Sequence, residues 1–301
     1  MAMNDKTSHS FRRLLETADR RYEEYVLSDE RYLGMVQFLD QCLQPERHGC
    51  ALDIGCGAGV ISRGLAGKFE KVIGIDGNAD NVTLARSLTD DQKLRNVFFE
   101  HGMATMLPVE DQSVDLALLN GVFEWVGLND KGEDPQARQV QVLHEVLRVL
   151  KPKGILYLAI ENRWHPRTLL RDPHTHLPWV NAVPRALANV ISRAKTGRPF
   201  QAYIYGHRKL AALLASAGFG RVDKFVPFPG YQYPVCYVPI RGRQESLDSI
   251  DRIDIKKVQK VCEDADRPMD AAAAVVRMRR RTKRGLLGLM AHDLALVAEK
   301  P

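Results

Sequence analysis

Hydrophobic and polar positions follow two alternating periods along most of this chain. From residue 50 onward, short apolar runs typical of buried strands are followed by stretches with apolar residues every third or fourth position, typical of helices. Such alternation predicts a parallel sheet with helices on both faces. We expect the last strand at an edge of a seven-stranded, doubly wound α/β sheet, and the predicted strands are 51–54, 71–75, 97–100, 114–119, 155–160, 222–226 and 292–298.

The helical periodicity also indicates the domain organisation. Residues 10–44 are predicted to form one or two amphipathic helices, so we interpret 1–45 as an N-terminal helical lid and 46–301 as one domain. The alternation breaks at about 162–205 and 241–290, which we interpret as insertions; irregular segments of that length are more often functional than idle. The remaining helices are expected at 60–69, 80–88, 135–150, 186–194 and 207–217, with two more within 244–290.

Composition narrows the class of protein. The 301 residues are 45% hydrophobic and 27% charged, which is typical of a soluble globular protein. No apolar run approaches the roughly 18 residues of a membrane span, and the first residues lack the apolar core of a secretory signal. The five cysteines are scattered without a C-x-x-C pair, so we expect no metal, no disulfide framework and a cytoplasmic location. The net charge of +6 permits an anionic partner without requiring one.

The stretch LDIGCGAG, between the first predicted strand and its helix, carries the strongest chemical signal. Glycines at Gly55, Gly57 and Gly59 allow a tight turn and close approach of the backbone to a ligand. A dinucleotide fingerprint would require glycine or alanine at Val60, and it leaves Asp53 unexplained. An acid at that position suits a ligand with an ammonium and a sulfonium group.

The pattern D-x-G-C-G-x-G resembles the cofactor loop of the class I S-adenosylmethionine (SAM) methyltransferases. Asp76, 21 residues after Gly55 at the end of the second strand, can accept both hydroxyls of a ribose, although a solvent-exposed strand-end acid is the alternative. The segment 143–154, LHEVLRVLKPKG, is similar to the family helix L-x-E-x-x-R-V-L-K-P-G-G. The resemblance implies a Rossmann-like fold with seven strands and SAM as the cofactor.

The resemblance also implies the cofactor-binding residues. The family acid that reaches the adenine amine falls at Met103, whose side chain can pack on the purine face instead, with backbone groups near it reading the base. Whether Glu124 and Trp125 line the site or only form a turn and a packed aromatic stays open. The implied set is Asp53, Gly55, Cys56, Gly57, Gly59, Asp76, Gly77, Met103, Ala104, Leu119 and Asn120.

Three further segments resemble one subgroup of these enzymes. Residues 161–163 (ENR), 171–178 (RDPHTHLP) and 227–231 (PFPGY) are similar to the E-N-R, D-H-T-G and F-P-D-Y stretches of bacterial methyltransferases found with surface-glycan or secondary-metabolite genes. Gly230 stands where that subgroup often has aspartate, and His176 where it often has glycine. The resemblance implies a glycan-type or small-molecule acceptor.

Methylation of a hydroxyl requires alignment of the acceptor and a group that takes its proton. Histidine suits that role near neutral pH. We predict His174 as the base, with His176, Glu161 and His165 as the next candidates. Alternatively, these histidines only cap turns beside prolines.

The run 277–284, RMRRRTKR, holds six positive charges in eight residues. It could dock the phosphates of a nucleic acid, a lipid or a lipid-linked sugar, or form a solvated helix face. Because no aromatic residues are interleaved with the charges, a nucleic acid is the less expected partner. The hypothesis is a SAM-dependent O-methyltransferase; the alternatives are an RNA or protein methyltransferase and a SAM-binding accessory protein without turnover.

Overall fold

The computed structural model describes residues 30–43, 47–127, 134–265 and 269–301. The predicted N-terminal lid lies largely outside the described residues; its described part forms one helix, α1, Glu30–Cys42.

The described residues contain eight strands in one mixed sheet, one more than predicted. They are β1 (Cys50–Ile54), β2 (Lys71–Asp76), β3 (Val97–His101), β4 (Val114–Asn120), β5 (Leu150–Glu161), β6 (Val222–Phe228), β7 (Cys236–Pro239) and β8 (Asp293–Glu299). Their order is β3-β2-β1-β4-β5-β8-β6-β7, and the first five neighbours in this order are parallel. The additional strand is β7, which has only four residues and ends in proline, so it lacks a strand pattern of its own.

The predicted edge position of the last strand is wrong. β8 lies inside the sheet, antiparallel to β5 on one side and to β6 on the other. Its burial explains this position, since every residue from Asp293 to Ala298 is buried. A strand that is covered on both faces carries a continuous apolar run, whereas a strand with one solvent-exposed face alternates apolar and polar residues.

Helices cover both faces of the sheet and fill the two predicted insertions. The helix after β1 ends at Leu65, earlier than predicted, and the described residues of 244–290 contain four helices where two were expected. Asp254 and Asp270 account for two of the three breaks, because each caps a new helix by accepting a backbone N–H from Lys257 or Ala273. The helices after α1 are α2 (Val60–Leu65), α3 (Ala79–Asp91), α4 (Pro135–Val149), α5 (Pro166–Leu170), α6 (Arg185–Thr196), α7 (His207–Ala217), α8 (Arg243–Asp251), α9 (Ile255–Asp264), α10 (Ala271–Lys283) and α11 (Leu287–Met290).

Two apolar layers enclose the sheet. On one face, Leu52 and Ile54 of β1 belong to the core that α4 and α7 close. The intervening Ala51 points to the opposite face and joins the core closed by α1, α2 and α3. A smaller core joins α8 to α11 to the β6–β7 hairpin. No helix among the described residues is long and apolar enough to cross a membrane.

A single amide attaches the second insertion to the end of β5. Asn162 is fully buried, and its Nδ2 donates to the carbonyls of Gly288, Leu289 and Ala291 at 3.1, 3.2 and 2.9 Å. These carbonyls belong to α11 and the residues leading into β8. The amide therefore holds both chain segments at the edge where β5 ends.

We expect Asn162→Ala to lower the free energy of unfolding by about 3 kcal/mol, because buried carbonyls lose their donor. The control is Gln141→Ala, which removes an exposed amide donating to the Thr105 carbonyl and should change stability by less than about 0.5 kcal/mol. Chemical denaturation followed by circular dichroism measures both. Equal effects of the two substitutions would contradict the role given to Asn162.

Candidate active site

The ends of four parallel strands place polar residues at one edge of the sheet. β2 ends at Asp76, β4 at Asn120 and β5 at Glu161, and the glycine loop begins directly after β1. β8 runs the other way, so its first residue, Asp293, pairs with Glu161 at the same edge. Open α/β sheets bind ligands at this edge.

The glycine loop is packed tightly at two positions and open at a third. A Cβ on Gly55 would lie 2.5 Å from Cγ2 of Val122, and one on Gly59 would lie 2.4 Å from Cζ of Phe99. Gly57 has φ of 53° and no atom within 4 Å of a Cβ position. The loop therefore presents bare backbone to open space at Gly57.

The Asp76 carboxylate joins the glycine loop to the end of β2. Its Oδ2 accepts from the Gly57 backbone N–H at 2.8 Å. Its Oδ1 accepts from the Asn78 backbone N–H at 2.8 Å and from Asn81 Nδ2 at 3.2 Å. These hydrogen bonds fix the carboxylate beside the open part of the loop.

Two further predicted cofactor residues, Asp53 and Cys56, point into the protein. Asp53 is buried, and its Oδ2 accepts from Ser62 Oγ at 2.6 Å, which ties the end of β1 to α2. The Cys56 thiol is also buried. Burial raises the pKa of Cys56, and the nearby carboxylates of Asp53 and Asp76 raise it further. Cys56 therefore remains a neutral thiol.

Beyond the end of β3, two methionine side chains are exposed at the same edge. Met103 and Met106 are 58% and 77% exposed, and they pair through a backbone hydrogen bond of 3.1 Å. Sδ of Met103 would lie 3.6 Å from a Cβ on Gly77, so the two predicted residues are neighbours. Ala104, between the two methionines in the chain, is partly buried against the core.

A group of buried polar atoms lies above the ends of β4 and β5 without hydrogen-bond partners among the described residues. It comprises both amide atoms of Asn120, both carboxylate oxygens of Glu124, Oε2 of Glu161 and Nε2 of His174. Glu124 is completely buried in a 3₁₀ turn, Phe123–Trp125. Native proteins pair nearly all of their buried polar atoms. Glu124, Glu161 and His174 lie within reach of one another, so the Asn120 amide is the part of this group that is left for a ligand. Leu119, also predicted to bind the cofactor, is completely buried beside it.

Within this group, His174 and Glu161 are neighbours. His174 Nε2 lies 3.4 Å from Oε2 of Glu161, and the hydroxyl of Tyr231 donates to Oε1 at 3.0 Å. The edge of the Trp125 ring contacts His174, with centroids 4.6 Å apart. Burial acts to raise the pKa of the Glu161 carboxyl, but His174 and Glu124 together hold it below its usual value. Glu161 is therefore ionised.

Glu124 has the opposite protonation behaviour. Burial raises the pKa of its carboxyl, and the Glu161 carboxylate raises it further. At neutral pH Glu124 carries a proton beside the charged Glu161. One atom from each of Glu124, Glu161 and His174 lies within 4.8 Å of the others, so these residues could also hold a metal ion, which the sequence did not predict.

A buried aspartate shapes the turn that carries His174. Oδ1 of Asp172 accepts from the Thr175 backbone and hydroxyl, both at 2.7 Å, and from the His174 backbone at 3.2 Å; Oδ2 accepts from Asn181 at 2.9 Å. His176, in the same turn, is exposed and has φ of 57°. Of the predicted catalytic residues, the structure brings His174 and Glu161 together and leaves His176 at the surface.

A cavity of about 720 Å³ opens on the other side of Glu161. Tyr231 and Asp293 line this end of it, and none of the predicted cofactor residues does. Asp293 accepts from the Tyr231 backbone at 3.1 Å and contacts His292 Nδ1 at 2.6 Å. A Cβ on Gly230 would lie 2.9 Å from Asp293 Oδ2, so an aspartate at 230 would crowd that carboxylate.

Sequence reasoning singled out the segments that contain Asp172 and Tyr231 but gave these two residues no role, and it missed Asp293. Asp172 had a local signal, since an aspartate three residues before a threonine commonly caps a turn. Tyr231 and Asp293 reach Glu161 and each other only through the pairing of β5 with β8, so their spacing along the chain carries no signal.

Comparisons with known proteins identify the family of this chain. Residues 46–200 match the family described as "Methyltransferase domain". The demethylmenaquinone methyltransferase of Oceanobacillus iheyensis is 33% identical over 58% of this chain and 70% of its own length. An uncharacterized methyltransferase of Schizosaccharomyces pombe is 24% identical over 71% of each chain.

A solved structure from Thermotoga maritima, described as a SAM-dependent methyltransferase and possible histamine N-methyltransferase, has the same fold. Its TM-score is 0.50 at 19% identity, and the match covers 98% of this chain and 100% of that one. This chain therefore belongs to the methyltransferase domain family and is a SAM-dependent methyltransferase. SAM is its cofactor, as the glycine loop predicted, and the sheet is Rossmann-like.

The protonation of Glu124 predicts how stability changes with pH. A carboxyl whose pKa is raised by folding contributes stability below its unfolded pKa, and this contribution is lost as pH rises. We therefore expect Glu124→Gln, which mimics the protonated form, to gain stability relative to the parent chain as pH increases from 4.5 to 8. Thermal unfolding across this range measures the difference.

Glu145→Gln is the control of opposite sign. The Arg148 hydrogen bond lowers the pKa of Glu145, so its carboxylate contributes stability above its unfolded pKa and loses it as pH falls. This variant should be less stable than the parent at neutral pH, with a difference that shrinks in acid. The same pH trend in both variants would contradict the assignment.

Proposed function

We propose that this chain transfers the methyl group of SAM to a hydroxyl oxygen of a glycan-type or small-molecule acceptor. The observation that carries the proposal is the contact of His174 Nε2 with Glu161 Oε2, 3.4 Å apart, beside the unpartnered buried amide of Asn120. Asn120 is the last of the predicted cofactor residues, and Glu161 lines the cavity. A ligand beside Asn120 would supply the missing partners of its amide.

The residues at the sheet edge fit SAM. The open space above Gly57 admits the ligand close to the backbone, and Asp76, beside it, is placed to accept the ribose hydroxyls. The free amide of Asn120 suits the amino-acid end, and exposed Met103 offers an apolar face to the adenine. The full proposed set is Asp53, Gly55, Cys56, Gly57, Gly59, Asp76, Gly77, Met103, Ala104, Leu119 and Asn120.

When bound, SAM supplies a methyl group on a positively charged sulfur. His174 then acts as the general base. The ionised Glu161 favours the tautomer that carries its proton on Nε2, which leaves Nδ1 to take the proton of the acceptor hydroxyl. Glu161 also stabilises the imidazolium that forms, and the Tyr231 hydroxyl holds Glu161 in place. Because Glu124 stays protonated, it adds no second negative charge beside them.

The acceptor would occupy the cavity beyond Glu161. We assign the acceptor site to the two insertions, 162–205 and 241–290, since both contribute residues to its lining, and the lid role to residues 1–45. Relatives named demethylmenaquinone methyltransferase and ubiquinone biosynthesis O-methyltransferase support a small-molecule acceptor. The latter, from Azorhizobium caulinodans, is 29% identical over 42% of this chain.

Methylation of RNA is the second candidate. The run 277–284 supplies positive charge, and a Shewanella frigidimarina 23S rRNA methyltransferase is 31% identical over 46% of this chain. That match covers only 27% of the RNA enzyme, which weakens the analogy. The methyl-transfer assay below distinguishes the two acceptor classes.

Binding of the cofactor is tested with Gly57→Ala. The new Cβ occupies the space that the ligand needs, and alanine at φ of 53° adds about 1 kcal/mol of strain. We expect affinity for SAM and S-adenosylhomocysteine, measured by isothermal titration, to fall roughly tenfold or more. Gly67→Ala is the control, since its Cβ also meets open space but lies away from the loop and without a left-handed φ. Equal affinity of both variants for the cofactor would contradict the proposed binding of SAM at the glycine loop.

Turnover is tested with His174→Gln. We expect kcat to fall by about 10²- to 10⁴-fold with unchanged affinity for S-adenosylhomocysteine, because only proton removal is lost. The assay follows labelled methyl groups from SAM into saccharide, small-molecule and total RNA fractions. His144→Gln, an exposed histidine on α4, is the control.

Four outcomes would overturn parts of this proposal. Labelling of RNA alone would replace the acceptor class, and tight cofactor binding without labelling of any fraction would rule out both acceptor classes. Full activity in His174→Gln with loss in His176→Gln would move the base to His176. Loss of activity in a chelator, with recovery on adding Mg²⁺, would assign Glu124, Glu161 and His174 to a metal instead.

A further inference from the structure

The end of the cavity away from Glu161 is positively charged. Arg167 of α5 lines it from the first insertion, and Arg277 and Arg281 of α10 line it from the second. His165 and His292 also line the cavity, with ring centroids 4.8 Å apart. Cations from both insertions therefore converge on one space.

The two arginines of α10 belong to a mixed face of that helix. Ala274, Arg277, Met278 and Arg281 all line the cavity, and their spacing of three and four residues places them on one side. Neighbouring segments continue the apolar part of the wall with Val261, Cys262, Met269 and Leu287. The cavity thus combines cationic side chains with an apolar surface.

The charges of this end are not neutralised by the described residues. Neither Arg167 nor Arg277 forms an ion pair with a described acid, whereas Arg279, which does not line the cavity, pairs with Asp251. Arg281 donates from Nη1 to the Met290 carbonyl, which orients it without removing its charge.

The positive charge in the cavity affects the protonation of His165. Burial, together with the nearby charges of His292, Arg281 and Arg167, lowers the pKa of His165 to about 4. Its Nδ1 is buried without a hydrogen-bond partner among the described residues. The two acids that line the cavity do not offset these cations, because Asp293 contacts His292 and Glu161 contacts His174.

We propose that the methyl acceptor carries a phosphate group, held at this end by Arg167, Arg277 and Arg281. The proposal rests on the proposed function, because it treats the cavity as the acceptor site. One guanidinium satisfies a carboxylate through paired hydrogen bonds, whereas three converging guanidinium groups match the higher charge and oxygen count of a phosphate ester. The apolar wall would cover the rest of the molecule while its hydroxyl reaches His174.

The test is isothermal titration of the full chain, loaded with S-adenosylhomocysteine, with n-octyl phosphate, glucose 1-phosphate, inorganic phosphate and n-octanoate. We expect octyl phosphate to bind at least about tenfold more tightly than octanoate. Arg167→Gln/Arg277→Gln should weaken phosphate binding by about tenfold or more. The control, Arg280→Gln/Lys283→Gln, removes two exposed charges of α10 that do not line the cavity and should leave phosphate binding within about twofold.

The probes also separate the possible sources of the phosphate. Tighter binding of octyl phosphate indicates a lipid-like ester, and tighter binding of glucose 1-phosphate indicates a sugar phosphate; both support the subsite if Arg167→Gln/Arg277→Gln weakens them. Equal binding of octanoate and octyl phosphate would overturn the proposal. A vesicle experiment provides a second such outcome. If both double variants reduce binding of the chain to phosphatidic acid vesicles equally, measured by sedimentation, the arginines act only as surface charge and the proposal is overturned.

Titration with S-adenosylhomocysteine alone separates this inference from the proposed function. Failure of that titration, together with phosphate binding that depends on Arg167 and Arg277, would remove the methyl-transfer role and keep the anion site. Normal cofactor affinity without arginine-dependent phosphate binding would remove the phosphate subsite and leave the methyl-transfer proposal standing.

Discussion

The buried carboxylate of Glu161 is the interaction on which the arrangement of this site depends. It lies at the end of β5, within 3.4 Å of His174 from the first insertion, and accepts the hydroxyl of Tyr231 from the segment after β6. Glu124, from the turn after β4, faces it in protonated form. A carboxylate that is shielded from water is stable only when neighbouring groups replace its lost hydration. Glu161 therefore holds these separate segments of the chain together.

The same carboxylate divides the two sides of the proposed reaction. The glycine loop, Asp76 and Asn120 lie toward the first half of the sheet, and the large cavity lies toward β8 and the second insertion. The family match covers residues 46–200, which include the glycine loop and β1 to β5. We propose that this part of the sheet binds the cofactor and that the inserted helices recognise the acceptor.

Much of the fold could be predicted because the local pattern of apolar and turn residues indicates most of the strands and helices directly. The strands from β1 to β5 are continuous apolar runs bounded by turn residues, and the glycine loop has a spacing that only a few ligands require. β7 was missed because four residues ending in proline carry too little pattern. The position of β8 was wrong because an apolar run reveals burial but not which strands flank it.

The site could be predicted only in part, for a related reason. His174 and Glu161 were recognisable as titratable residues beside a strand end, but their contact depends on how the turn at Asp172 folds back over β5. The full burial of Glu124 is likewise a tertiary effect, since a glutamate beside tryptophan reads equally well as a surface turn. Asp293 reaches the site because β8 pairs with β5, and Tyr231 is held there by its backbone hydrogen bond to Asp293.

The most direct test of the central claim is a crystal structure of this chain with S-adenosylhomocysteine. The account predicts the ribose on Asp76, the adenine against Met103, and the sulfur facing the group formed by Asn120, Glu161 and His174. A nucleoside bound instead among the arginines of the cavity, with the glycine loop empty, would contradict it.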